Sequence, residues 1–94
     1  MHITVARCEI PEPAAAEARR ALDRLMDAAY GAAGYVFSVY MPVAPSDPVV
    51  AFTPAAGPAY LAILVFETDL DTDAFFQGPG RGLLPGRVSK TTGD

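Results

Sequence analysis

Residues 60–79 read YLAILVFETDLDTDAFFQGP. The first eight, Tyr60 to Glu67, are almost continuously apolar, which predicts a strand buried on both faces. Asp69, Asp71 and Asp73 follow at alternate positions, a spacing that raises the possibility of a calcium loop. An EF-hand loop needs glycine at its sixth position and glutamate at its twelfth. Counted from Asp69, those places hold Ala74 and Gly80, so the pattern fails at its most demanding points. The acids read instead as a helix start: Asp69, Asp71 or Thr72 caps a short helix over 72–77, where carboxylates accept free amide protons and favour the positive end of the dipole.

Working outward, residues 2–10 (HITVARCEI) form a β-branched strand that Pro11 and Pro13 end. Ala18, Ala21, Leu22, Leu25, Met26 and Ala29 then repeat at helical spacing, with Glu17, Arg20, Asp23, Arg24 and Asp27 mostly off that stripe. Gly31 or Gly34 stops the helix. Residues 35–41 (YVFSVYM) predict a second strand. Residues 42–58 hold five of the nine prolines and read as a long connection with a short extended piece at 49–53. Val49, Val50 and Phe52 are apolar for a surface loop, so the segment is either a lid, an arm onto a partner subunit, or packed on its own subunit. The glycine-rich tail, 78–94, holds one last strand at Arg87 to Lys90.

The chain of 94 residues is one domain, 1–94, and is 51% hydrophobic with a net charge of −4. A chain this short buries a modest core, so its apolar surplus suits a partner subunit or a pocket. Only Arg19, Arg20 and Arg24 cluster, on what reads as a solvated helix face, so no basic stripe answers a phosphate backbone and no nucleic-acid partner is expected. No signal-peptide pattern and no apolar run of about 20 residues is visible, so the expectation is a cytoplasmic protein without a membrane partner. The single cysteine, Cys8, forms no internal disulfide and reads as a small buried hydrophobe.

The element order is strand, helix, strand, strand, helix, strand. This predicts an α+β, ferredoxin-like antiparallel sheet with helices on one face. The other face needs a cover, which a second copy of the sheet would supply. Over residues 3 to about 79 the chain resembles the antibiotic-biosynthesis monooxygenase-like family of the dimeric α+β barrel superfamily. The resemblance rests on ITVARCEI with its proline-bounded turn, the helix ending at Gly31 and Gly34, the strand ending Val39-Tyr40, and above all YLAILVFETDLDTDAFFQGP. It implies homodimers that pair their sheets into a barrel, with an apolar pocket between sheet and helices. Haem-degrading members place an Asn, a Trp and a His where this chain has Ala6, Phe66 and Phe75. The chain contains no Asn and no Trp. Haem degradation is therefore not expected, and oxygenase mechanisms that rely on Asn and Trp do not transfer intact.

If Ala6 and Phe66 face the pocket, strand alternation places His2, Thr4 and Cys8 beside the first and Tyr60, Ala62 and Leu64 beside the second. The expected pocket is thus Ala6, Cys8, Tyr60, Ala62, Leu64, Phe66 and Phe75, suited to a flat, apolar aromatic ligand. Candidate catalytic residues are His2, Tyr40 and Arg87. Histidine titrates near neutrality and can act as general base; the blander alternative is a half-exposed side chain at a frayed terminus. Tyr35 and Tyr40 occupy opposite faces of their strand, so one at most reaches the pocket; core or interface packing is the alternative. Arg87 would stabilise an enolate or phenolate oxygen, or else serve as a surface ion-pair residue. Arg7, opposite in facing to Ala6, is expected at a dimer interface, paired with Glu9 or Glu67.

Three functions fit: a cofactor-independent monooxygenase of an aromatic polyketide-type substrate, a polyketide cyclase or isomerase, and a non-catalytic ligand-binding accessory protein. No metal or flavin motif is visible, so no cofactor and no metal is assigned. The resemblance favours the oxygenase; the polar-poor pocket suits the other two.

Overall fold

The computed structural model describes residues 1–43 and 59–94. The expected strand at 49–53 lies outside the described residues, as do Val49, Val50 and Phe52. The elements are β1 (His2–Glu9), α1 (Ala15–Tyr30), β2 (Tyr35–Val43), β3 (Ala59–Phe66), α2 (Asp69–Gln77) and β4 (Arg87–Gly93), with one 3-10 turn, Glu12–Ala14, leading into α1. The strands form one four-stranded antiparallel sheet in the order β2-β3-β1-β4. This is the ferredoxin-like arrangement, both crossovers carrying a helix.

The α1 stripe buries Ala18, Leu22, Leu25 and Ala29, and the helix ends at Gly31. Gly34 then turns the chain into β2 at a φ of 76°. Its carbonyl accepts the Glu67 amide at 2.8 Å, which fastens this turn to the end of β3. A Cβ on Gly34 would fall on the Asp71 carboxylate, so the close approach of α2 requires glycine here.

The helix α2 begins three residues before its expected start. Its cap is Thr68, whose Oγ1 accepts the Asp71 amide at 3.1 Å while its hydroxyl donates to Asp71 Oδ2 at 2.9 Å. Asp69 Oδ1 accepts the Leu70 amide. The acids thus serve the helix start, with threonine rather than aspartate as the cap. At the C-terminal end, β4 continues to Gly93, beyond the expected Lys90.

The register defines two faces. Toward the helices point Thr4, Ala6 and Cys8 of β1 and Tyr60, Ala62, Leu64 and Phe66 of β3, all buried. Away from them point Ile3, Val5, Phe37, Val39, Met41, Leu61, Ile63 and Val65. Phe37 is 51% exposed, Ile3 39% and Met41 38%, and Leu61 and Ile63 are half-buried. The expectation that β3 is buried on both faces therefore holds fully on the helix side and in part on the other, where Ala59 and Val65 are buried but Leu61 and Ile63 are only half-buried, because no second layer covers them among the described residues. Arg7 and Glu9 lie on that open face with Arg7 Nε 3.9 Å from Glu9 Oε1. No helix among the described residues is long and apolar enough to cross a membrane.

Candidate functional site

All the residues expected to line a pocket lie in one layer between sheet and helices. Ala6, Cys8, Tyr60, Ala62, Leu64, Phe66 and Phe75 pack with Ala18, Leu22, Leu25 and Ala29 of α1 as the core. Phe66 and Phe75 meet with ring centroids 5.1 Å apart, Phe75 and Phe76 do likewise, and Tyr35 meets Phe66 edge-on at 6.4 Å. The layer is closed by these contacts and forms a floor of aromatic rings under α2. Cys8 is fully buried in it, and burial pushes its thiol pKa up, which keeps it a neutral, poor nucleophile.

His2 belongs to this layer and not to a frayed end. It stands opposite Phe66 in the β1–β3 ladder, and its Nδ1 lies 2.9 Å from Thr72 Oγ1 on α2. Thr72 is buried, and its hydroxyl proton goes to the Thr68 carbonyl at 3.2 Å. With its proton placed so, the Thr72 oxygen is left to accept, which matches the His2 tautomer that carries its proton on Nδ1. In the neutral imidazole the lone pair then sits on Nε2, the arrangement a general base needs.

Tyr40 and Arg87 are not brought to His2. Tyr40 also points to the helix side, but opposite Ala62, so about 13 Å of strand separates its position from that of His2 along the sheet. Its hydroxyl donates to Asp23 of α1 at 2.5 Å, and this bond, with burial and the carboxylate's charge, raises the tyrosine pKa. Its ring meets Tyr60 edge-on at 6.1 Å. Arg87 pairs with Glu9 in the β1–β4 ladder and so occupies the open face, opposite to Ala6. The cation on the helix side of β4 is Lys90, whose Nζ sits 4.3 Å from the Phe76 ring centroid.

A separate cleft of about 260 Å³ opens at the far end of β1, lined by Ile10, Ala14, Ala18, Ala21 and Pro85, with Glu17 and Arg24 as its charged residues. It is roughly 26 Å of strand away from His2. Among the described residues no group of three or more His, Cys, Asp or Glu side chains is placed to share a metal ion.

The letters offer Thr72 only as a candidate helix cap and give no reading of Ser38. Thr72 had no signal beyond the helix start. Ser38, 3.1 Å from the Tyr35 hydroxyl and opposite Leu64, shares the helix side with both Tyr35 and Tyr40: a register shift between Tyr35 and Phe37 breaks the strict alternation that predicts the two tyrosines on opposite faces.

No protein-family model matches the sequence, and no curated protein does. Solved structures do resemble it. SnoaB, a cofactor-independent oxygenase from Streptomyces nogalater, superposes with a TM-score of 0.68 at 14% identity, over 99% of this chain and 91% of that one. A dimeric ferredoxin-like protein of unknown function from Jannaschia sp. CCS1 gives 0.63 at 16% identity, over 100% and 99%. MhuD, with two manganese protoporphyrin IX molecules bound per active site, gives 0.62 at 16% identity, over 100% and 93%. At these identities the likeness establishes the ferredoxin-like fold and nothing finer.

Proposed function

We propose that the chain is a homodimeric, cofactor-independent monooxygenase that holds an aromatic, polyketide-type substrate on the ring layer beneath α2. The observation that carries this is His2: the chain's single imidazole, held by Thr72 through Nδ1 and with no partner at Nε2 among the described residues, beside the Phe66–Phe75 pair. The likeness to SnoaB supports the reaction class. The open apolar face supports the dimer, since a second sheet would cover Phe37, Met41 and Leu61, and the dimeric Jannaschia protein shares the fold.

In this reading the substrate enters at the His2 end. Of α2 only Thr72 and Phe75 are buried, so a small displacement of that helix exposes the ring layer. His2 Nε2 removes a proton from the acidic carbon of an anthrone-type substrate. The resulting carbanion reduces dioxygen itself. One oxygen atom becomes the new carbonyl, and the other leaves as water with the two hydrogens of the original CH2. The apolar surround disfavours protonation by solvent and strengthens each polar contact.

Oxygen uptake by metal-stripped protein given an anthrone-type phenol, with product mass read alongside, tests the proposal. Uptake above the spontaneous rate with a quinone product supports it; tight binding with no uptake overturns it for this substrate class. The distance of Tyr40 and Arg87 from His2 favours a second reading, a cyclase or isomerase that needs a single base. That reading gives a product of unchanged mass. Binding with no product at all marks an accessory protein.

A further inference from the structure

We propose that Thr4 anchors an oxygen atom of the bound aromatic, donating its hydroxyl proton to a carbonyl or phenolate oxygen; this rests on the site described above. Thr4 is fully buried, yet among the described residues its Oγ1 has no hydrogen-bond partner. A dry hydroxyl without a partner destabilises a fold, and valine would fill nearly the same volume without that penalty.

The surroundings explain why the hydroxyl stays unpaired. β1 is a central strand, and its backbone groups are engaged on one side by β3 and on the other by β4. Across the ladders Thr4 faces Leu64 and Thr92, the latter exposed near the chain end. The Thr72 hydroxyl, bonded to His2 next along this face, is used already in its contacts with the Thr68 carbonyl and the His2 ring. Among the described residues Thr4 is therefore the inward hydroxyl of β1 with both donor and acceptor capacity left over, one same-face step from His2, or about 7 Å along the strand.

That placement divides the labour. His2 Nε2 faces the carbon that loses its proton, and the Thr4 hydroxyl meets the oxygen on which the negative charge accumulates. A hydrogen bond to that oxygen is worth more in a dry site than in water. The ligand class follows: a fused aromatic carrying an oxygen substituent, preferred over the bare hydrocarbon.

The test uses α-naphthol and naphthalene as probes on the wild type, Thr4→Val and Thr4→Ser. The chain has one histidine, so the imidazole proton signals report ligand in the site without ambiguity. Naphthalene should perturb these signals in all three proteins. Thr4→Val should melt at an equal or higher temperature, and should lose about tenfold in affinity for α-naphthol, the size of one buried hydrogen bond, while its affinity for naphthalene is unchanged. Thr4→Ser should keep the preference. If naphthalene moves the His2 signals but Thr4→Val leaves the naphthol preference intact, the anchor is refuted while the site stands. If neither probe moves them, the site and the anchor fall together.

Discussion

His2 and Thr72, 70 positions apart in the chain, are joined by a 2.9 Å hydrogen bond that ties the first strand to the second helix. If His2 is the base, Thr72 is a positioning residue. Thr72→Val should lower oxygen uptake about tenfold with little change in KM, and Thr72→Ser should restore most of it. His2→Ala should cost about a hundredfold, within the usual range for a lost general base. Steady-state rates with the same substrate decide the matter; equal rates in Thr72→Val and the wild type would remove Thr72 from the mechanism.

The turn at Gly34 is expected to be intolerant of any side chain. Gly34→Ala must adopt a left-handed backbone and displace Asp71 from its place at the helix start. Left-handed backbone alone disfavours an L-residue by about 1–2 kcal/mol, and loss of the Asp71 contact adds to it. Urea denaturation of Gly34→Ala against Gly31→Ala, where a Cβ meets nothing within 4 Å, isolates the effect.

Tyr40 offers a pH signature. The folded state holds its phenolic proton more tightly than the unfolded chain, because the hydroxyl donates to Asp23. The stabilisation is complete below tyrosine's ordinary value of about 10 and is lost as pH rises through the raised one. Tyr40→Phe should therefore destabilise the protein at neutral pH, by less than about 1 kcal/mol because the bond is exposed and screened by solvent. The difference between the two proteins should shrink above pH of about 10. Melting curves across that range measure it.

The open face should govern assembly. Phe37→Glu places a carboxylate among Val39, Ile63 and Val65, where a second sheet would have to desolvate it. Sedimentation should show the wild type as a dimer and the variant as a monomer with an unchanged far-ultraviolet spectrum. A wild-type monomer at micromolar concentration would leave the face without its proposed cover.

Much of this architecture was legible because its signals are periodic. The α1 stripe specifies a buried face without any knowledge of neighbours, whereas β3 is almost continuously apolar, so its inward face, like that of β1, followed only from the family resemblance. β4 was different. Its letters, RVSKTTG, carry no apolar alternation, so nothing in them says which parity faces the helices, and only the pairing of Arg87 with Glu9 places the guanidinium outside. The start of α2 was ambiguous for a related reason: Thr68, Asp69, Asp71 and Thr72 can all cap, and the choice depends on where β3 releases the chain. The His2–Thr72 and Tyr40–Asp23 bonds join distant elements, and no local pattern announces them.

Every residue of β4 is exposed, although the strand pairs along its full length with β1. Its attachment is thus largely backbone ladder, with the Lys90 cation over Phe76 as a side-chain clasp. Such a strand can peel away while the core beneath remains assembled, so its amides should exchange with deuterium well before those of β3. A peeled β4 uncovers the free edge of β1, an edge that the same strand from another copy could occupy. In a crowded preparation the C-terminal segment is then where two molecules would first become entangled by strand exchange.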